Sequence, residues 1–311
     1  MLISIVTPCF NSARFIRECL ESVLAQDYPM VEHIIQDGAS TDGTVEIIQE
    51  YAEKYPRRIR FRSAPDRGQA DGLNRAIQRA RGDALLALNA DDALLPKACS
   101  WAVENLAKFP EAGAIYGDEY LMNENGQIID KFLAPPYNFG KLLCLELVPP
   151  AQASFIRRRA LEQVGFYADK YLDSCPDFEM WVRLGLEFPI KHVPDFVSCY
   201  RHLSGNLFEG GIPKTAKRFY EAKKMVLERV FNSPRTSPRI RALRDRAQVG
   251  LLFWAAAAHY GLTGNWRSIV WNKFLYQSFW LALRRGYWAW FLSNVYLYGR
   301  LLIKRLIYGR G

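Results

Sequence analysis

Two adjacent carboxylates, Asp91 and Asp92, interrupt an otherwise apolar run, LLALNADDALLP at residues 85–96. Neighbouring acids repel each other and are costly to desolvate unless a positive partner compensates. Residues 85–88 read as a short buried strand, so the pair stands where a strand gives out into a turn. Polar residues recur at equivalent places: Thr7 and Asn11 after a first strand, Asp37 after a second, Asp66 after a third. Taken singly, each is an ordinary cap or turn residue. Four successive strand ends delivering them imply one shared rim. No G-x-G-x-x-G or G-x-x-x-x-G-K-[ST] follows the first strand, which disfavours a dinucleotide cofactor or a P-loop nucleotide.

The elements that must position these residues alternate. Residues 2–6 form a compact β-branched run stopped by Thr7-Pro8, and Asn11-Ser12 offers a cap for a helix carrying Phe15, Ile16, Leu20, Val23 and Leu24. Residues 31–36 form a second strand that breaks into DGASTDGT. A helix with Val45, Ile47, Ile48 and Tyr51 on its apolar side follows, then a third strand at 59–62 and a third helix opening within 68–80. Strand–helix alternation at this spacing predicts βαβ units and a mainly parallel sheet, an α/β class fold. In such sheets ligands sit beyond the carboxyl ends of the strands.

Charge divides the chain of 311 residues. Residues 1–211 carry 22 Lys/Arg against 29 Asp/Glu, whereas residues 212–311 carry 19 Lys/Arg against Glu221, Glu228 and Asp245. Gly210-Gly211-Ile212-Pro213 is the natural seam between two domains, 1–211 and 212–311. The six cysteines form no C-x-x-C pair, so buried free thiols in a reducing compartment are expected. The first residues resemble no secretory leader, and a cytoplasmic placement follows.

The segments TPCFNSARFIRECLESVLAQDYP, DGASTDGT, DRGQADGLNRAI and NADD, in that order, resemble the family 2 glycosyltransferases of the GT-A fold. PPAQASFIRRRALEQVGFY and PDFEMWVRL resemble the acceptor-side half of the same family, so the likeness spans residues 1–205. The resemblance implies a GT-A, Rossmann-like sheet sandwiched by helices. It implies an inverting transfer of a sugar from a nucleotide-diphosphate donor to the hydroxyl of a carbohydrate or lipid-linked acceptor, in polysaccharide, cell-envelope or glycolipid synthesis. Two alternatives stay open: a non-catalytic nucleotide-sugar-binding module, and a nucleotidyltransferase on a similar sheet, although the latter's Gly-rich basic loop has no counterpart in TPCFNSARF.

By the same resemblance, Asp91 and Asp92 hold a divalent cation, Mg²⁺ or Mn²⁺, on the donor diphosphate. Asn89 stands where the family often has its first acid. Asp37 is the implied nucleobase contact, with Thr7 and Pro8 shaping its pocket. Asp66 and Asp71 line the nucleotide side, Asp71 being equally readable as a cap of the helix that contains Asn74. Asp177 matches the acceptor-side acid, the catalytic base, in a helix that Pro176 opens. The helix dipole alone would also explain an acid there. Glu179 is a second candidate on that turn, with Trp181 beside it. Gln152, Arg157 and His202 complete the acceptor side, although Arg157–Arg159 also read as a solvated basic face.

The basic last third is helical in pattern, in AKRFYEAKKMVLERVF, RIRALRDRAQVGLLFWAAAAHY and residues 271–283. Its tail mixes Trp, Tyr, Leu and Arg, and the longest uncharged run, residues 286–299, falls short of the ~20 apolar residues that span a bilayer. An anionic membrane surface is therefore the expected partner of this region, ahead of packing onto the catalytic domain. No nucleic-acid motif accompanies the charge, and no nucleic-acid partner is expected.

Overall fold

In a computed structural model of the chain, residues 1–167, 175–203, 213–263, 273–289 and 291–293 are described. The chain separates into two compact units: Met1–Phe139 with Val148–Leu203, and Gly140–Leu147 with Ser204–Gly311. Of the seam read from the sequence, Gly210, Gly211 and Ile212 lie outside the described residues.

The first unit is built on a nine-stranded sheet. Its parallel half comprises β1 (Ile3–Cys9), β2 (Val31–Asp37), β3 (Ile59–Ser63) and β4 (Ala84–Ala87), in the order β3-β2-β1-β4. The order continues β8-β6-β9-β5, through β8 (Ser154–Arg157), β6 (Ala114–Met122), β9 (Ile190–Arg201) and β5 (Ala93–Leu94); β7 (Ile128–Phe132) pairs with β6. This half is mixed: β8 runs antiparallel to both β4 and β6, and β9 runs parallel to β6.

Apolar spacing decides which faces close. Ile16, Cys19, Leu20 and Val23 form one stripe of α1 (Ile16–Leu24), all buried. They join Ile3, Ile5, Ile35, Leu86 and Phe155 in one core cluster. Truncating a fully buried member such as Ile5 to alanine costs about 2–5 kcal/mol. The helices α2 (Thr44–Lys54), α3 (Gln69–Arg79) and α4 (Ala98–Lys108) complete the alternation up to β6.

The first strand does not stop at Thr7-Pro8 as its sequence suggests; it runs on to Cys9. The reason lies in the neighbours. The ladder with β4 ends at Val6↔Ala87, so the missing N–H of Pro8 falls on a side where no pairing remains. On the other side Cys9 still bonds β2, its carbonyl accepting the Gly38 N–H at 2.9 Å.

In the second unit the helices α8 (Pro213–Asn232), α9 (Pro238–Arg241), α10 (Arg244–Thr263) and α11 (Lys273–Arg284) follow α5 (Phe139–Leu143), α6 (Arg158–Val164) and α7 (Pro176–Glu187) in chain order. Helix α10 packs against both α8 and α11. Val249, Phe253, Ala282 and Phe291 form its small core. Gly250 brings α10 against the 140–147 segment, since a Cβ there would lie 2.0 Å from the Cys144 carbonyl oxygen. Arg246 and Glu146 pair across the same contact at 2.7 Å. All six cysteines are buried and free.

Candidate active site at the strand ends

The acids past β4 divide into two environments. Asp92 is almost fully buried, and its carboxylate accepts three N–H groups. The Arg201 backbone donates to Oδ1 at 2.8 Å; Gln152 Nε2 and Asn89 Nδ2 donate to Oδ2 at 3.0 and 3.1 Å. Gln69 extends the chain by donating to Asn89 Oδ1 at 2.8 Å. Asp91 is half-buried, and its carboxylate accepts no hydrogen bond from any other described residue. Its backbone carbonyl is fixed instead, by Arg201 Nε at 2.8 Å. Arg201 itself is buried, pairs with Glu18, and reaches the carbonyls of Asn123 and Glu124 at 3.1 Å. A buried guanidinium thus locks the turn from behind while Asp91 faces outward.

Electrostatics separate the two further. Burial pushes the Asp91 carboxyl above its ordinary value, and Arg201 pulls it back. Asp92 is pushed up by burial and by the charge of Asp91. A cation at Asp91 would offset both the burial of Asp91 and its repulsion of Asp92. Among the described residues no cluster of three or more metal-ligating side chains occurs. One rim carboxylate fits a Mg²⁺ or Mn²⁺ site completed by phosphate oxygens and water. Asp92 already accepts three protein N–H groups, which leaves Asp91 the more open of the two carboxylates.

On the β2–β3 side the acids again divide between inside and outside. Asp37 is fully buried: Ser40 N–H and Ser63 Oγ donate to Oδ2 at 3.0 and 2.6 Å, and Ser40 Oγ and Cys9 Sγ reach Oδ1. It ties the DGAST loop to β1 and β3 and has no oxygen left to meet a base. Thr7 also points inward, its hydroxyl 2.8 Å from His33 Nε2 in the core. Asp66 is the outward acid. Its Oδ1 accepts the Gly68 N–H at 3.0 Å, and its Oδ2 rests in a glycine cradle. A Cβ at Gly38 would come within 3.2 Å of that oxygen, and one at Gly72 within 3.1 Å of it and 3.3 Å of Pro8. Phe10, unmarked by the sequence reading, leaves its ring 63% exposed beside Gly38. Asp71 is not open: its Oδ2 accepts the Arg67 backbone N–H at 3.1 Å at the start of α3, as a capping side chain does, and Arg67 and Arg75 pair with it at 3.1 and 2.7 Å and hold its carboxyl below the usual range.

On the acceptor side, Asp177 stands half-buried in the first turn of α7, with Pro176 at its start. Glu179 is buried in a two-pronged pair with Arg183, both contacts 2.7 Å. The same guanidinium binds the Gly165 and Phe166 carbonyls at 2.7 and 2.5 Å, so Glu179 builds the α6–α7 corner. Trp181 is fully buried core. Arg157 lies at the other end of the sheet, bonding the Ala112 and Leu106 carbonyls at 2.9 and 2.6 Å, which closes the end of α4. His202 follows Arg201 at the end of β9 and donates its backbone N–H to Met122 at 2.8 Å. Two further residues carry no mark in the sequence. Asn74 clamps the backbone of Tyr167 at 2.9 and 3.0 Å, tying α3 to the chain that leads toward Asp177. Glu119 is buried on β6 with Oε2 unpartnered, and burial together with Asp92 pushes its carboxyl up to about 8.

The profile of Glycosyl transferase family 2 matches residues 4–165. The chain belongs to that family. Proteins similar to it include the chondroitin synthase of Escherichia coli, 28% identical over 203 residues, which are 65% of this chain and 29% of that protein. The putative teichuronic acid biosynthesis glycosyltransferase TuaG of Bacillus subtilis is 36% identical over 140 residues, 43% of this chain and 53% of that protein. The chain therefore spans between about a third and a half of these relatives. Among solved structures, S. aureus TarS 1–349 in complex with UDP-GlcNAc superposes with a TM-score of 0.61 at 16% identity, covering 92% of both chains. The mannosyltransferase PcManGT of Pyrobaculum calidifontis, in complex with GDP-Man and Mn²⁺, gives 0.59 at 19% identity, covering 99% of this chain and 88% of that one. These likenesses show the GT-A-like fold of a family 2 chain. No helix among the described residues is long and apolar enough to cross a membrane.

Proposed function

We propose that the chain is an inverting, metal-dependent glycosyltransferase that moves a sugar from a nucleotide-diphosphate donor to an acceptor hydroxyl in polysaccharide or cell-envelope synthesis. One observation carries this reading: Asp91 presents a carboxylate past the end of β4 with no donor from another described residue on it, above a braced Asp92. The donor lies across the strand ends. Its base meets Asp66 Oδ2 and the exposed face of Phe10, and Gly38 and Gly72 allow the close approach. Asp91 holds the cation that the diphosphate brings. A bound Mg²⁺ or Mn²⁺ supplies neutralisation of the charge growing on the departing diphosphate. Asp177 takes the proton of the acceptor hydroxyl as that oxygen attacks the anomeric carbon from the face opposite the leaving group. General-base help of this kind contributes ~10²–10⁴-fold. UDP-GlcNAc and GDP-Man in the two structural relatives make hexosyl and hexosaminyl donors the first to try. A donor screen with Mn²⁺, read by anomeric NMR of the product, tests the proposal. Inverted product from one sugar nucleotide is expected; retained configuration, or no turnover with any donor and acceptor, would refute it.

The second unit seats on an anionic membrane surface. Tyr276, Trp280 and Leu283 expose one stripe of α11, Trp288 and Leu292 are exposed beyond its end, and Arg284 and Arg285 are exposed as well. Ser278 and Ala282, on the inward side of the helix, are buried. Aromatic and aliphatic groups rimmed by arginine suit the interfacial layer. Trp280→Ser with Trp288→Ser should abolish salt-sensitive pelleting with anionic vesicles. Unchanged pelleting would remove the claim.

A further inference from the structure

Away from the acid rim, the first unit concentrates positive charge along its β3 edge. Residues 57–81 contain eight arginines and only two acids, Asp66 and Asp71. Asp71 is already paired with Arg67 and Arg75. Between β3 and the carboxyl end of α3 lies a cleft of about 570 Å³ lined by Ile34, Phe61, Arg60, Arg79 and Arg81. Arg79 and Arg81 stand where α3 leads back into β4, so the cleft opens toward the amino ends of the strands, opposite Asp91.

The acid inside this cluster is Glu32, and it is filled. Ser4 Oγ and the Arg81 backbone N–H donate to Oε1 at 2.6 and 2.5 Å, and Arg60 Nη2 reaches Oε2 at 2.6 Å. Arg60 is held in place by that pair and by the Arg79 carbonyl at 3.2 Å. Arg79 is fixed by Nη2 on the Ile35 carbonyl at 2.9 Å and on Gln36 Oε1 at 3.1 Å. Burial, and after it the charges of Arg62 and Arg60, hold Arg79 below its ordinary value. Arg81 is exposed, and its guanidinium bonds no described residue. Two forks are thus pre-positioned and a third is open, beside the half-buried ring of Phe61.

We propose that this cleft is a second binding site, distinct from the donor site, that takes a phosphate group of a soluble ligand between Arg60, Arg79 and Arg81. Guanidinium forks match phosphate oxygens in pairs, and a multiply charged oxyanion answers the local charge excess better than one carboxylate does. The ring of Phe61 suits the carbon skeleton that carries the phosphate.

The test is isothermal titration of the full chain with sodium tripolyphosphate in EDTA at constant chloride, so that no divalent ion bridges the probe to Asp91. Arg81→Gln should weaken binding about tenfold or more. Arg81→Lys should recover part of it, and Asp91→Asn should bind as the parent does. Arg57→Gln, an equal charge change outside the cleft, should stay within about twofold. Equal binding by Arg81→Gln and the parent would overturn the site. So would an equal loss in Arg57→Gln, which would mean diffuse attraction. A parent that ignores tripolyphosphate yet loses binding to anionic vesicles in Arg81→Gln would make the cleft a membrane contact and overturn the proposal as well. None of these readouts involves sugar transfer, so they stand or fall apart from the glycosyltransferase reading.

Discussion

At the end of β4 and at the start of α7 the chain sets two acids close together, and it treats each pair alike. Asp92 and Glu179 are drawn into the scaffold, the first by three N–H donors, the second by the fork of Arg183. Asp91 and Asp177 stand half-buried at their element ends. The β2 and β3 strands repeat the division with residues farther apart, Asp37 inside and Asp66 outside. The lesson is physical. A carboxylate that is to meet a ligand must sit on a backbone that does not move, and a neighbouring acid saturated with protein donors is one means of fixing that backbone.

This contrast predicts opposite signatures for the two members of each pair. The largest effect belongs to Asp91. Asp91→Asn should lower turnover by ~10³-fold or more, and EDTA should do the same to the parent, with the melting temperature of the variant unchanged. Asp177→Asn should cost ~10²–10⁴-fold in kcat with donor binding intact. A steady-state assay with a calorimetric donor titration separates those two losses.

Asp92→Asn should act on stability first. Its amide nitrogen would face donors from Gln152, Asn89 or Arg201, leaving a buried clash of about 2–3 kcal/mol and a drop of roughly 4–10 °C in Tm. Glu179→Gln loosens the α6–α7 corner by a smaller amount, about 1–2 kcal/mol, while kcat stays near that of the parent. Thermal unfolding measured beside activity checks both. A Glu179 variant that is stable but inactive would move the catalytic role from Asp177 to its neighbour.

The smallest effect concerns Glu119. Its carboxyl is raised from 4.5 to about 8 in the folded chain, so the unfolded state gives up the proton first. The stability it contributes is complete below pH ~4.5 and is lost as pH rises toward about 8. Glu119→Gln should flatten that slope and stabilise the protein at pH 8 by about 1–2 kcal/mol. Denaturant midpoints at pH 5 and pH 8 read the difference.

The alternation of β1 through β4 with its helices was legible because each element carries its own periodicity. The rim was legible for the same reason, since polar residues mark the strand ends. What stayed hidden depends on partners far along the chain. Asp92 looks like Asp91 until Arg201, 109 residues later, places its N–H on it. Arg157 looks like a site residue until the carbonyls at the end of α4 take its guanidinium. The insertion of β8 between β4 and β6 has no local mark, because an antiparallel return is decided by which edges remain unpaired. Trp181 sits in a motif that resembles the acceptor half, yet its neighbours Val182 and Leu184 already pointed to the core that it fills.

The most direct test titrates Mn²⁺ into the parent, Asp91→Asn and Asp92→Asn in the presence of UDP or GDP and follows free Mn²⁺ by electron paramagnetic resonance. The parent should take up the ion only together with the nucleotide, Asp92→Asn should still do so with weaker affinity, and Asp91→Asn should leave the ion in solution. Uptake by Asp91→Asn equal to that of the parent would contradict the account.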